Sequence, residues 1–187
     1  MKYPLLTSLL LIVALAGFGW WLSTIGEQES RPEQAELHYP DYYASDLVSV
    51  RYNQDGLPQH RLKSVAMRHF ADDDTTELEH PIFWQYAAGA APWRVTATSA
   101  TLYGNNNKIF MPGEVQIDHA ASNGKRPYQI TTSDLWAHPD SGYVSTKQRV
   151  QITSQGDWLH GVGLQGQLLE PVKIKLLSEV RGYHEID

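Results

Sequence analysis

Gly161-Val162-Gly163-Leu164-Gln165-Gly166 has the spacing of a dinucleotide-binding turn, where glycines let the backbone approach a pyrophosphate. That chemistry also needs a strand before the turn, a helix after it and a surrounding βαβ unit. Here Pro171 soon follows and no helical periodicity succeeds the glycines. They read instead as turn and bulge glycines within β structure. Asp72-Asp73-Asp74 could hold a cation. The run lacks the alternating ligands and distal Glu of a calcium loop, however, and reads as a solvated turn. The eight histidines form no HxH or HExxH pair. The chain has no Cys, which removes disulfides and thiolate metal sites. A GxSxG nucleophile elbow is also missing. The sequence therefore predicts no catalytic residue, no metal and no cofactor, and its function is expected to lie in binding.

The elements that would position a binding site begin after an apolar leader. Leu5 to Ile25 carries no charge, and as a helix its 21 residues span roughly 30 Å, the hydrocarbon thickness of a bilayer. Trp20 and Trp21 sit near its far end, where amphipathic rings favour the interface. Lys2 precedes the segment, and Glu27 and Glu29 follow it, so the positive-inside rule predicts a cytoplasmic N-terminus and export of the rest. Ala14-Leu15-Ala16 would suit a signal peptidase, but Phe18, Trp20, Trp21, Leu22 and Ile25 prolong the apolar run beyond it and favour an uncleaved anchor. The expected organisation is a cytoplasmic tail at 1–4, a transmembrane helix at 5–25, a polar, proline-containing linker at 26–40 and a β domain at 41–187. The net charge is −6 and the basic residues are scattered, which argues against nucleic acid as a partner.

From Tyr42 onward the signals are those of strands. Val48, Val50 and Tyr52 alternate with Ser49 and Arg51, and Asn53-Gln54-Asp55-Gly56 makes a turn into a return strand from about Leu57 to Phe70. Further strands are expected at Ile82–Trp84, Trp93–Tyr103, Lys108–His119, Tyr128–Trp136, Tyr143–Ser154 and Val172–Tyr183, separated by Gly, Asn, Asp and Pro turns. A loose repeat of roughly 33–35 residues runs through them: Leu62-x-Ser64-x-Ala66, Val95-x-Ala97 and Ile130-x-Thr132 each open a unit. Many short strands with this spacing predict an all-β sandwich, barrel or jelly roll. Small residues on one strand face allow two sheets to approach closely or to hold a guest between them. Open strand edges invite pairing with another chain.

The order of tail, span, linker and then Tyr52-x-x-x-Gly56-x-x-x-x-Arg61-Leu62-x-Ser64 resembles the LptC family, bitopic inner-membrane subunits of the lipopolysaccharide export machine. Pro81, Gly113-Glu114-Val115-Gln116-Ile117, Ile130-Thr131-Thr132, Gly156 before Gly161, and Val180-Arg181-Gly182-Tyr183-His184-Glu185-Ile186 extend the resemblance over nearly the whole chain. The strand carrying Ile109-Phe110-Met111-Pro112 departs from it, because proline is unusual in a paired strand. The resemblance implies a twisted β-jelly roll, with many short antiparallel strands in two facing sheets around a hydrophobic interior. It also implies a periplasmic domain on a single-pass inner-membrane anchor. Such a protein takes lipopolysaccharide from the LptB–LptF–LptG transporter at its N-terminal edge and membrane helix, and passes it to LptA at its C-terminal edge. Exposing one acyl chain of roughly a dozen methylenes to water costs about 10 kcal/mol, so an apolar trough is the required device.

With that architecture the expected lining is Val48, Val50, Leu62, Ala66, Leu78, Trp84, Val95, Ala97, Met111, Val115, Ile117 and Ile130. The expected docking edge is Val172, Ile174, Leu176, Val180 and Tyr183, where apolar and basic residues alternate at first. Two other functions fit the same strands. One is a secreted carbohydrate-binding or hydrolytic β-sandwich with an aromatic platform of Trp93, Trp136 and Trp158. The other is a purely structural envelope scaffold.

Overall fold

The computed structural model describes residues 38–184, apart from 88, 105, 106, 123, 125 and 170. The expected tail, transmembrane helix and almost all of the linker lie outside these residues. Among the described residues no helix is long and apolar enough to cross a membrane.

Among the described residues eleven strands follow one another: β1 (Tyr42–Tyr52), β2 (Pro58–Phe70), β3 (Thr75–Glu79), β4 (Ile82–Gln85), β5 (Trp93–Ala97), β6 (Ser99–Tyr103), β7 (Lys108–His119), β8 (Tyr128–His138), β9 (Tyr143–Ser154), β10 (Asp157–Gln167) and β11 (Lys173–Tyr183). Every pairing is antiparallel. Two strands were not expected. β3 follows directly on the Asp72–Asp74 turn, and β10 contains the whole glycine hexapeptide. The expected strand from Trp93 to Tyr103 is interrupted at Thr98 and becomes β5 and β6.

The strands form one hydrogen-bonded sheet rather than two separate ones, and a crease divides it into two layers. β2 shows how. Its first half pairs with β4, its second half with β3. β3 leads to β6 and β4 leads to β5, and both routes rejoin on β7, which pairs with β6 through Lys108–Phe110 and with β5 through Val115–His119. The long strands therefore serve both layers, and the short pairs β3–β4 and β5–β6 each stand in for one long strand.

Left-handed backbone marks the crease. Asp46, His80, Gly113, Asp134, Gly163 and Glu179 have positive φ near the middle of β1, between β3 and β4, and within β7, β8, β10 and β11. Asp and Gly tolerate that region better than most residues. Pro112 falls at this line. β7 bulges between Met111 and Glu114 where it meets β8, and the Gly113 N–H donates to Asp134 Oδ1 at 2.9 Å. The proline thus occupies a place where the ladder is already interrupted.

Between the layers lies a single core. Leu78, Leu102, Ile109, Met111, Leu135 and Leu164 come from one layer, and Trp93, Val95, Val115, Ile117 and Ile130 from the other. The hexapeptide glycines permit close packing here: a Cβ at Gly161 would lie 3.0 Å from Leu176 Cδ1, and one at Gly166 would lie 2.9 Å from Val144 Cγ2.

Candidate functional site

The core is not filled throughout. Toward β1 the layers separate around a cavity of about 240 Å³. Leu62, Phe83 and Val95 wall it on one side, and Leu102, Met111 and Val144 on the other. One end is polar. Arg51 pairs with His60 across β1 and β2, and His60 pairs with Gln85 across β2 and β4, so the three side chains form a row on the inner face. The Nε2 atoms of His60 and Gln85 are buried without a hydrogen-bond partner, although the Gln85 amide lies close enough to favour the charged imidazole. Burial is the larger influence and lowers the His60 pKa, and the positive charge of Arg51 lowers it further. Both effects favour the neutral imidazole. Arg51 reaches across to the β8–β9 turn, where its Nη1 lies 3.0 Å from Asp140 Oδ1. Both side chains are well exposed, so the pair holds by no more than about 1 kcal/mol. Beside the row the Arg61 guanidinium stands 5.3 Å from the centre of the Trp84 ring.

The predicted lining residues separate into four groups. Leu62, Trp84, Val95 and Met111 line the cavity. Leu78, Val115, Ile117 and Ile130 are buried in the packed core, with Ala97 against it. Ala66 is half-buried and its carbonyl accepts from the Ser64 hydroxyl at 2.6 Å. Val48 and Val50 are the correction: they are 52% and 37% exposed, while Ser49 and Arg51 of the same strand line the cavity. The alternation in β1 is real, but the apolar set faces outward. Phe83, Leu102, Ile109, Ala137, Val144 and Leu168 also line the cavity and were not singled out from the sequence. Phe83 lay next to a chosen residue, and Leu102 and Ile109 lay within predicted strands. The polar row left no signal, because its members meet only through strand pairing.

Each end of the sheet is an edge. Among the described residues β1 pairs only with β2, and β11 only with β10. Of the predicted docking residues, Val172, Ile174 and Leu176 pack against the core, whereas Val180 and Tyr183 are more than half exposed. The aromatic platform expected of a carbohydrate binder does not assemble. Trp93 is buried against His119 and Tyr128, Trp136 stacks on Phe110 at 4.6 Å, and Trp158 lies in β10 beside His160. A group of His38, Asp72 and Asp73 brings its ligand atoms within 4.8 Å of one another, but all three residues are exposed and His38 Nδ1 is hydrogen-bonded to Asp72 at 2.9 Å.

Residues 8–185 match a family model described as lipopolysaccharide-assembly, LptC-related. No curated protein sequence matches the chain. Among solved structures the chain resembles LptH of Pseudomonas aeruginosa, described as the LptA-homologous periplasmic component of the conserved lipopolysaccharide transport device. The TM-score is 0.54 at 8% identity, over 68% of this chain and 95% of that one. At that identity the likeness concerns the fold alone, an all-β jelly roll.

Proposed function

Because the chain belongs to the LptC-related family of lipopolysaccharide assembly, we propose that it carries lipopolysaccharide on the periplasmic side of the inner membrane. In this reading residues 5–25 anchor it with the N-terminus in the cytoplasm. The β1 edge faces the LptB–LptF–LptG transporter, and the β11 edge passes the lipid to LptA by strand addition. The role is transport and docking rather than catalysis. The observation that supports it best is the apolar cavity between two layers of a sheet whose two ends are both unpaired. Acyl chains leave water in such a cavity, and an edge offers main-chain donors and acceptors to a further β module.

Adjacent positions of one strand provide the test. A photoreactive residue replacing Ser49, which lines the cavity, is expected to crosslink radiolabelled lipopolysaccharide in membranes. The same residue replacing Val48, on the opposite face, is expected to give little product. Equal yields from the two positions, or none from either, would count against a lipid-filled interior.

A further inference from the structure

The whole chain has 21 acidic and 15 basic residues, yet the charge lining the cavity has the opposite sign. Two guanidinium groups, Arg51 and Arg61, and two imidazoles, His60 and His138, line it, and among the described residues no carboxylate does. These groups are not spread evenly along the wall. Arg51 and His60 stand with Gln85 in the one inner-face row that closes the polar end, and the remaining wall is mainly apolar. Two nitrogens of that row, His60 Nε2 and Gln85 Nε2, are buried with no partner. Buried polar atoms are normally satisfied, so these two nitrogens, on residues that line the cavity, remain available to donate to a group placed there. Among the described residues Asp140 is the one acid paired with Arg51, and it comes from the far layer through an exposed contact worth little in water.

We infer that Arg51, His60 and Gln85 form a subsite for the anionic group, phosphate or carboxylate, of an amphiphile whose hydrocarbon lies against the apolar wall. The inference rests on the lipid-carrying role proposed above and adds which part of the cargo is read. The guanidinium fork matches two oxygens of a phosphate, and the amide and imidazole N–H groups supply further donors without another fixed charge. On loading, Arg51 exchanges Asp140 for the anion of the cargo. Arg61, held over Trp84, adds positive potential beside the subsite without leaving its ring.

The test uses the full chain in a neutral maltoside detergent. It is offered equimolar lipid A with its phosphates and the same lipid with its phosphates removed, and the retained lipid is read by native mass spectrometry. The wild type is expected to retain the phosphorylated form in roughly tenfold excess, the factor that one charge-assisted hydrogen bond supplies. Arg51→Gln combined with His60→Leu is expected to bring the ratio near parity, with neutral-lipid retention unchanged and circular dichroism native. Gln85→Leu alone gives a smaller change in the same direction and serves if the double variant fails to fold. Asp140→Asn frees Arg51 and is expected to raise the ratio. A fall there would make the Arg51–Asp140 contact merely structural and overturn the assignment. Equal retention of both lipids by the wild type would overturn the anionic subsite and leave the lipid-carrying role standing. Retention of neither would overturn both. Inorganic phosphate that displaces the phosphorylated lipid at equal concentration would show a free-anion site and overturn the amphiphile.

Discussion

Single residues in this protein divide into those that hold the layers together and those that face the cavity. Val115 belongs to the first kind, with none of its surface exposed. Val115→Asp places an unpaired carboxylate in the core and is expected to cost at least about 3 kcal/mol in urea unfolding. Leu62→Asp, at a half-buried cavity wall, is expected to cost clearly less, and equal losses would mean that the wall is packed like the core. A second prediction concerns the start of the domain. His69 is hydrogen-bonded to Asp41 at 2.7 Å and His38 to Asp72 at 2.9 Å, and those bonds raise both imidazole pKa values. A raised folded pKa stabilises fully below the ordinary histidine value of about 6.5, and the gain is lost as pH rises through the raised value. The Asp72 carboxyl is lowered, first by its bond to His38, so its contribution is present above the ordinary Asp value and lost as pH falls through the lowered one. Hydrogen-exchange protection of the amides from Tyr39 to Tyr43, corrected for intrinsic rates, is expected to weaken above neutral pH. Protection that stays constant up to pH 9 would refute the coupling.

At the scale of the strand, the last element carries the sharpest expectation. β11 is an edge whose first half turns Ile174 and Leu176 onto the core and whose second half leaves Val180 and Tyr183 in solvent. Leu176→Pro removes a main-chain donor and clashes in the ladder. It is expected to abolish capture of LptA from periplasmic extract, as is truncation after Glu170, while leaving association with the transporter. Capture by the truncated chain would place docking at another edge. The strands also show what could be read in advance. Alternation located most of them, because one face is apolar. It could not say which face of β1 turns inward, since both faces of an edge strand carry mixed residues and Asp46 redirects the chain without any pattern in its neighbours. β10 was hidden because its glycines look like a turn. They are there for the Leu176 and Val144 side chains that pack on them. β3 was hidden by its brevity and by Glu77 and Glu79.

For the whole molecule, the all-β class and inward-facing positions such as the half-buried Leu62 and the buried Val95 were legible from local pattern. The crease, and the polar row it brings to one end, depend on pairing between strands far apart in sequence and left no local trace. The predicted arrangement in the envelope has its own test. Protease added to spheroplasts is expected to digest residues 41–187 while the protein sediments with the inner membrane. A protected domain would reverse the proposed orientation.

The left-handed residues from Asp46 to Glu179 have a consequence for capacity. Each long strand passes through the crease, so the two layers are a single covalent leaf folded once, like a book with one spine. Neighbouring strands share that line, since their ladders bind them side by side. The gap between the layers is therefore set by the spine, and the character of its walls by the pages. A side chain added at Gly113 or Gly163, both in the left-handed region, therefore strains the spine itself, whereas an exchange at the wall leaves the spine untouched.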